Sequence, residues 1–176
     1  MSDREPNDFY ATHPSAIPPL LNILQLPKGS LIWENSCGEG HLCKPLIEAG
    51  HHVIATDLMN RGFGIGGIDF LQPSWFDQNT YNAIIMNPPY KHAEAFIRKS
   101  LMICTTVCAF LKLTFLESDT RREFFKQYPP EIVAVFCSRV PCAMNGRFED
   151  YKSHPVCYAW FIWRNNNQNP PQILWI

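Results

Sequence analysis

Four consecutive residues, Asn87-Pro88-Pro89-Tyr90, have types suited to amine chemistry and directly follow an apolar run. Proline has no backbone N–H and fixes the chain, so the two prolines end the strand predicted for residues 81–87 and hold the turn rigid. The Pro88 carbonyl and the Asn87 side-chain oxygen are then two fixed acceptors for a planar NH2 group, and Tyr90 offers a flat face for ring stacking. The tetrapeptide predicts a corner that positions an amino group for attack on an electrophile. An ordinary proline-rich turn is the alternative interpretation.

A glycine turn and an acidic residue at strand ends could hold a ligand beside this corner. Glu34 ends the first predicted strand, and Gly38 and Gly40 follow in a turn where backbone can approach a ligand closely. Asp57 ends the second predicted strand, where a carboxylate can bind both hydroxyls of a ribose. Cys43 stands where a dinucleotide fold would need a third glycine, which disfavours a nicotinamide site. A purely structural turn is the alternative for the two glycines alone.

The elements that must position these residues alternate along the chain. Apolar and alternating runs predict strands at residues 30–35, 51–57, 81–87, 105–113, 131–138 and 156–163. Helical spacing predicts helices at residues 41–50, 93–103 and 118–128. Such alternation predicts an α/β fold with a mostly parallel sheet, helices on both faces and the ligand at the carboxyl ends of the strands. Because no helical pattern precedes the last predicted strand, we expect that strand to be antiparallel.

Composition predicts one soluble domain of a reducing cytoplasm. The 176 residues are 46% hydrophobic and 18% charged, enough for one sizeable core. The seven cysteines are odd in number and contain no Cys-x-x-Cys pair, so neither a disulfide framework nor a metal site is expected. No apolar run approaches the ~20 residues of a membrane span, and the first residues are acidic and polar rather than a signal peptide. We expect residues 165–176 to form a polar tail.

The distribution of charge is uneven. Net charge is -1, but residues 1–90 hold 4 basic and 9 acidic side chains (4 − 9 = −5), and residues 91–176 hold 11 and 7 (11 − 7 = +4). Random scatter of charges over the surface and a basic face for an acidic partner explain this difference between the two halves equally well. Within the basic half, the irregular connection from Arg139 to Lys152 is the kind of loop that carries function, and we predict that it contacts phosphate.

The motifs together resemble the S-adenosylmethionine-dependent amino methyltransferases, and within them the DNA adenine-N6 methyltransferases, including small phage and prophage types. The resemblance runs from residue 8 to 164, and NPPY after an apolar strand is the family's catalytic signature. It implies a Rossmann-like methyltransferase fold with a seven-stranded, mostly parallel sheet, an antiparallel last strand, S-adenosylmethionine as cofactor and DNA as partner. The chain departs from the family's pattern at Asn35 and His13, where proline is usual, which bears on affinity more than on activity.

Residue roles follow from the resemblance. Asn87 and Pro88 would accept hydrogen bonds from the target amino group, Pro89 would keep the corner rigid, and Tyr90 would stack on the flipped base. The implied cofactor residues are Tyr10 and Thr12 of the N-terminal segment 1–12, then Glu34, Gly38, Gly40, Asp57, Leu58, Asp69, Phe70 and Asn87. The implied nucleic-acid contacts are Tyr90, Lys91, Arg139, Arg147 and Lys152.

The predicted reaction is direct displacement, in which the positioned nitrogen attacks the sulfonium methyl and then loses a proton. Cytosine-C5 methyltransferases use a Pro-Cys pair as nucleophile, but Cys142 is expected to lie away from the NPPY corner and to be a packing residue. Cytosine N4, an RNA base or a protein glutamine present the same NH2 group, and a binding-only subunit is the non-enzymatic alternative. The core uses nearly all 176 residues. We therefore expect no separate target-recognition domain, and relaxed or very short sequence selectivity unless a homodimer or a recognition subunit supplies more.

Overall fold

A seven-stranded sheet forms the centre of the computed structural model, which describes residues 9–150, 156–165, 167 and 169–176. The strands are β1 Tyr10–Thr12, β2 Leu31–Glu34, β3 His52–Ala55, β4 Ala83–Met86, β5 Thr106–Lys112, β6 Ile132–Val135, β7 Cys142–Met144, β8 Tyr158–Arg164 and β9 Gln172–Trp175. The sheet order is β3-β2-β4-β5-β8-β6-β9, and β8 alone runs antiparallel to its neighbours. The mostly parallel sheet with one antiparallel strand is thus confirmed, and that strand is β8, the last one predicted from the sequence. The strand β9 follows it, was not predicted and runs parallel to β6.

Helices cover both faces of this sheet, as predicted. The α-helices are α1 Ile17–Leu24, α2 Cys43–Glu48, α3 Ala93–Ile103 and α4 Arg122–Gln127. α1 and α2 pack with Ile85 in one hydrophobic cluster, whereas α3 and α4 pack with Ile84 in the other. Successive side chains of a strand point to opposite faces, so the two isoleucines lie on different faces of the sheet. Both are fully buried because helices cover both faces. Strands covered on both faces read as continuous apolar runs, which is why their positions could be predicted.

The winding of the sheet reverses between β2 and β4. From β2 the chain goes outward to the edge strand β3 and then returns to the opposite side of β2 as β4. In open α/β sheets ligands bind at the carboxyl ends of the strands next to this reversal. Those two ends carry Glu34 and the corner formed by residues 87–90.

Several elements were not predicted. α1 has Pro18 and Pro19 in its first turn, where no backbone donor is needed. The strands β1 and β7 form a separate antiparallel ribbon, with Thr12 opposite Cys142. The expectation of a polar tail at residues 165–176 is corrected, because β9 pairs with β6 and Leu174 packs against the core.

Within the described parts of the chain, none of the helices has the length and apolar character needed to cross a bilayer.

Candidate active site

The NPPY corner lies directly after β4 and is joined to the N-terminal strand by one hydrogen bond. Asn87 Nδ2 donates to the carbonyl oxygen of Tyr10 at 2.7 Å. An amide that donates through its nitrogen presents its oxygen on the other side. The half-buried Asn87 side chain therefore keeps Oδ1 as an acceptor.

The backbone of the corner provides the second acceptor. Ser36 Oγ donates to the Asn87 carbonyl at 3.1 Å, and His92 N donates to the Pro89 carbonyl at 2.8 Å. No described residue donates to the carbonyl oxygen of the buried Pro88 between them. Asn87 Oδ1 and the Pro88 carbonyl are thus two acceptors, on adjacent residues, that have no donor among the described residues.

Tyr90 has a crowded environment. Its hydroxyl lies 3.5 Å from Cys142 Sγ, its ring is tilted on Tyr158 at a centroid distance of 6.4 Å, and Lys112 Nζ lies 4.8 Å from its ring centroid. Burial raises the pKa of the Tyr90 hydroxyl far above its ordinary value, so this group stays protonated. Tyr90 therefore cannot act as a base, and stacking of a ligand on its ring stays a prediction.

The expected separation of Cys142 from the corner is wrong, because the β1–β7 ribbon brings Cys142 against Tyr90. Long-range pairing of an irregular segment leaves no periodic signal in the sequence, so this contact could not be inferred. Burial raises the pKa of the Cys142 thiol, and the side chain is 7% exposed. A nucleophilic cysteine needs the opposite, a lowered pKa and access to substrate, so the packing role stands.

The glycine turn is tied to the strand-end acid. Asp57 Oδ2 accepts from Gly38 N at 2.8 Å, and Asp57 Oδ1 accepts from Met59 N at 2.8 Å. A carboxylate has further lone pairs after two such bonds, so Asp57 can still accept from hydroxyl groups. Gly38 and Gly40 have φ of 52° and 80°, a left-handed conformation that glycine adopts without strain.

Glu34 is a buried carboxyl group with an altered proton affinity. It is 1% exposed, Ser36 N donates to Glu34 Oε1 at 3.2 Å, and Ser36 Oγ lies 3.0 Å from the same oxygen. Loss of solvation by burial raises the pKa of Glu34 to about 8, with the Asp57 charge contributing in the same direction. A group with this pKa changes protonation near neutral pH, a property that concentrates at functional sites.

A narrow cleft lies between the ribbon and the glycine turn. Its lining includes Tyr10, Thr12, Glu34, His41 and Asn87, so it joins the predicted cofactor residues to the corner. The Thr12 Oγ1 and His41 Nδ1 atoms are buried without a hydrogen-bond partner among the described residues. Buried polar atoms without partners in a cleft indicate a place for a polar ligand. His41 was not predicted, because a histidine after a glycine turn carries no signal of its own.

Two aromatic rings cover the glycines of the turn. A Cβ placed on Gly38 would lie 2.1 Å from the Phe9 ring, and one on Gly40 would lie 2.6 Å from the Phe63 ring. The rings therefore rest directly on the backbone that we predict a cofactor to approach. Phe63 lies in the loop between Asp57 and Asp69, and neither aromatic residue was predicted to belong to the site.

Other predicted cofactor residues are placed differently. Leu58 is 53% exposed, and Asp69 is exposed with Oδ1 accepting from Leu71 N. Phe70 is 2% exposed and packs edge-on against Trp33 at 5.1 Å, so the structure assigns its ring to the core. Contact of these residues with an adenine ring stays a prediction.

The predicted nucleic-acid residues lie in separate segments of the chain. Lys91, Arg139 and Arg147 are exposed, and Arg139 Nη1 donates to Cys157 Sγ. Lys152 lies outside the described residues. In the portion of the chain with described coordinates, no group of three His, Cys, Asp or Glu side chains is arranged to hold a metal ion.

Comparisons with known proteins agree on the fold. No family model matches the chain, and no curated protein matches its sequence. Among solved structures, a Pyrococcus horikoshii protein assigned as an RNA methyltransferase matches with a TM-score of 0.63 and 16% identity over 86% of this chain and 82% of its own. The methyltransferase subunit of a type I restriction-modification system from Streptococcus thermophilus matches with a TM-score of 0.69 and 14% identity over 94% of this chain and 47% of its own.

An S-adenosylmethionine-dependent O-methyltransferase from Thermotoga maritima matches with a TM-score of 0.63 and 13% identity over 92% of this chain and 69% of its own. The chain spans about half the length of the type I subunit, at 47%. At such low identity the likeness concerns architecture. The chain has the Rossmann-like fold of S-adenosylmethionine-dependent methyltransferases.

Proposed function

We propose that this protein transfers a methyl group from S-adenosylmethionine to an exocyclic amino group, and specifically to N6 of adenine in DNA. One observation carries the proposal: Asn87 donates to the Tyr10 carbonyl, which leaves Oδ1 and the Pro88 carbonyl as paired acceptors at the reversal of the sheet. An NH2 group held by two acceptors is positioned for attack, and such positioning lowers the barrier by fixing the near-attack geometry.

The residues of the cleft fit the proposed cofactor. Glu34 can receive a cationic ammonium group, Asp57 can receive ribose hydroxyls, and the buried atoms Thr12 Oγ1 and His41 Nδ1 can receive polar groups of the methionine end. S-adenosylmethionine supplies the methyl group as a sulfonium when bound. The cleft holds only about 10 Å³ of space for a water-sized molecule, far below the ~300–1,000 Å³ of common small-molecule sites, so the Phe9 and Phe63 rings must shift to admit the whole cofactor.

The proposed reaction needs no covalent intermediate. The amino nitrogen forms a bond to the methyl carbon as the carbon–sulfur bond breaks, and the nitrogen then releases a proton to water. Tyr90 and Cys142 keep their protons because burial raises the pKa of both groups. The chain's own residues therefore act by holding and stacking rather than by proton transfer.

DNA adenine is the favoured substrate within this class. NPPY resembles the adenine-N6 enzymes, and the type I subunit to which the fold is similar belongs to a restriction-modification system. Lys91, Arg139 and Arg147 are exposed basic side chains that would contact phosphates, and Arg147→Ala should lower DNA affinity and its salt dependence. Cytosine N4, RNA bases and protein glutamine remain alternatives, and a recognition subunit or a second copy would add selectivity.

The experiment that tests this proposal is methyl transfer from S-adenosylmethionine carrying a labelled methyl group. Unmethylated duplex DNA, single-stranded DNA, RNA and a glutamine-containing protein extract are offered separately. We expect label in DNA, with the single strand favoured because its bases need no extrusion from a duplex. Label in RNA or protein alone would replace DNA as the substrate. If calorimetry detects no binding of S-adenosylmethionine to the wild type, the non-catalytic alternative is favoured.

A further inference from the structure

Lys112 is the last residue of β5, the strand next to β4 in the sheet. The two strands are parallel, with Met86 opposite Ala109, so their carboxyl ends lie at the same edge. Lys112 Nζ is 4.8 Å from the centroid of the Tyr90 ring, and the side chain is half-buried. The ammonium group is thus held against the ring on which we propose that the target base stacks.

Lys112 differs from the other half-buried basic side chains of residues 91–176. Each of the others donates to a protein oxygen: Arg98 to Glu94, Lys99 to Asp77, Arg121 to the Phe115 carbonyl and Arg164 to Glu131. Within the described portion of the chain, Lys112 Nζ makes no hydrogen bond or ion pair with a protein oxygen. The three N–H donors of this ammonium group are left for solvent or a ligand.

The described side chains that lie beside Lys112 supply no negative charge. Tyr158 is its direct partner across the β5–β8 pair, and Tyr90 and Cys142 also lie close to it. Burial raises the pKa of all three groups, so each is neutral at physiological pH. A cation partly removed from water without a counter-charge is unfavourable, and an anionic ligand would relieve that cost.

We propose that Lys112 binds the phosphate of the nucleotide whose base stacks on Tyr90. This inference rests on the proposed function and narrows it to nucleic acid. A nucleotide carries a planar base and an anionic phosphate a few bonds apart, which matches an aromatic ring with an adjacent unpaired cation. A protein glutamine offers the amide to the same corner, but it brings no anion to Lys112.

The test compares Lys112→Met and Lys112→Arg with Lys28→Met. Lys28 is exposed and precedes β2, so it lies at the amino ends of the strands. The substitution Lys28→Met therefore removes the same charge as Lys112→Met, but from the opposite edge of the sheet. Binding of a short single-stranded deoxyribonucleotide is measured by anisotropy at several salt concentrations, and methylation of the same strand gives kcat and KM. Thermal melting and cofactor calorimetry check that each variant is folded.

We expect the slope of log affinity against log salt to shrink by about 0.7 in Lys112→Met, the contribution of one phosphate contact on a single strand. KM for the strand should rise several-fold, whereas Lys112→Arg and Lys28→Met should match the wild type. An unchanged slope in Lys112→Met, with wild-type methylation intact, would overturn the inference and leave only a packing role over Tyr90. Lys112→Gln carries the same test if Lys112→Met is unstable. A wild type that neither binds nor methylates nucleic acid would instead refute the proposed function.

Discussion

The side-chain amide of Asn87 and the backbone carbonyl of Tyr10 are joined by a 2.7 Å hydrogen bond between residues 77 positions apart in the chain. This bond fixes which end of the amide faces the cleft, so the acceptor geometry of the corner depends on the N-terminal strand as well as on the prolines. β1 is held in turn by β7, with Tyr10 opposite Met144. The corner is therefore positioned by a ribbon that lies outside the main sheet.

Tyr90 should act through its ring and not through its hydroxyl. Tyr90→Phe keeps the ring and loses only the contact with Cys142 Sγ, so its kcat/KM should stay close to that of the wild type. Tyr90→Ala should lose roughly five- to 150-fold, because base–aromatic stacking contributes about 1–3 kcal/mol. Steady-state methylation of a single strand checks both variants. Equal losses in Tyr90→Phe and Tyr90→Ala would assign the role to the hydroxyl instead.

Cys142→Ala should retain methyl transfer. The thiol is buried with a raised pKa, and the proposed displacement uses no cysteine. Cys108→Ala is the matched control, since Cys108 is another buried cysteine, in β5. Both substitutions should lower the free energy of unfolding by about 1 kcal/mol, measured as a modestly lower denaturant midpoint. If Cys142→Ala alone abolished methyl transfer while it remained folded, a covalent mechanism would have to be considered.

The stability of the cofactor-free protein should fall as pH rises from about 5 to 8 because of Glu34. Its pKa is raised from 4.5 to about 8, so in this interval the folded protein holds a proton that the unfolded chain releases. A folded state that binds more protons loses stability with rising pH, here by about 1 kcal/mol per pH unit. Glu34→Gln should remove this decline in urea unfolding, and the exposed Glu48→Gln should not. Parallel pH profiles for wild type and Glu34→Gln would contradict the assignment.

Gly40→Ala should destabilise the fold and weaken cofactor binding. Gly40 has φ of 80°, and a Cβ there would meet the Phe63 ring at 2.6 Å. Gly50→Ala separates these effects, because Gly50 has φ of 90° with nothing within 4 Å of its Cβ position. Both substitutions should lower the free energy of unfolding by about 1–2 kcal/mol, because a residue with a Cβ is strained in the left-handed conformation. Calorimetry should show weaker cofactor binding for Gly40→Ala alone; equal affinity in the two variants would remove Gly40 from the proposed site.

The sequence predicted the central sheet well and the ribbon not at all. Strands such as Ala83–Met86 are buried on both faces, so their apolar runs are long enough to recognise. β1 and β7 are three residues each, and their pairing joins segments far apart in the chain, which no local pattern records. The strand β9 was not predicted because its four residues are largely exposed at the edge of the sheet and follow a polar stretch, so they form no long apolar run.

The same limit applies to the candidate site. Asn87, Glu34 and Asp57 could be predicted because they end strands whose carboxyl ends must meet. The contacts of Tyr90 with Cys142 and Lys112 arise from long-range packing, as do the aromatic rings on the glycine turn. The Phe70 ring packs in the core, and its contact with the cofactor, which the resemblance implied, stays a prediction.

Nucleoside mass spectrometry of unmethylated DNA is the most direct test of the central claim. Wild type, Asn87→Ala and the exposed Asn22→Ala are each incubated with DNA and S-adenosylmethionine. We predict N6-methyladenine from wild type and Asn22→Ala, and about 100-fold less or none from Asn87→Ala, which should still bind the cofactor. N6-methyladenine formed equally by wild type and Asn87→Ala would contradict the amine-positioning corner, and no methylated base from any variant would contradict DNA as the substrate.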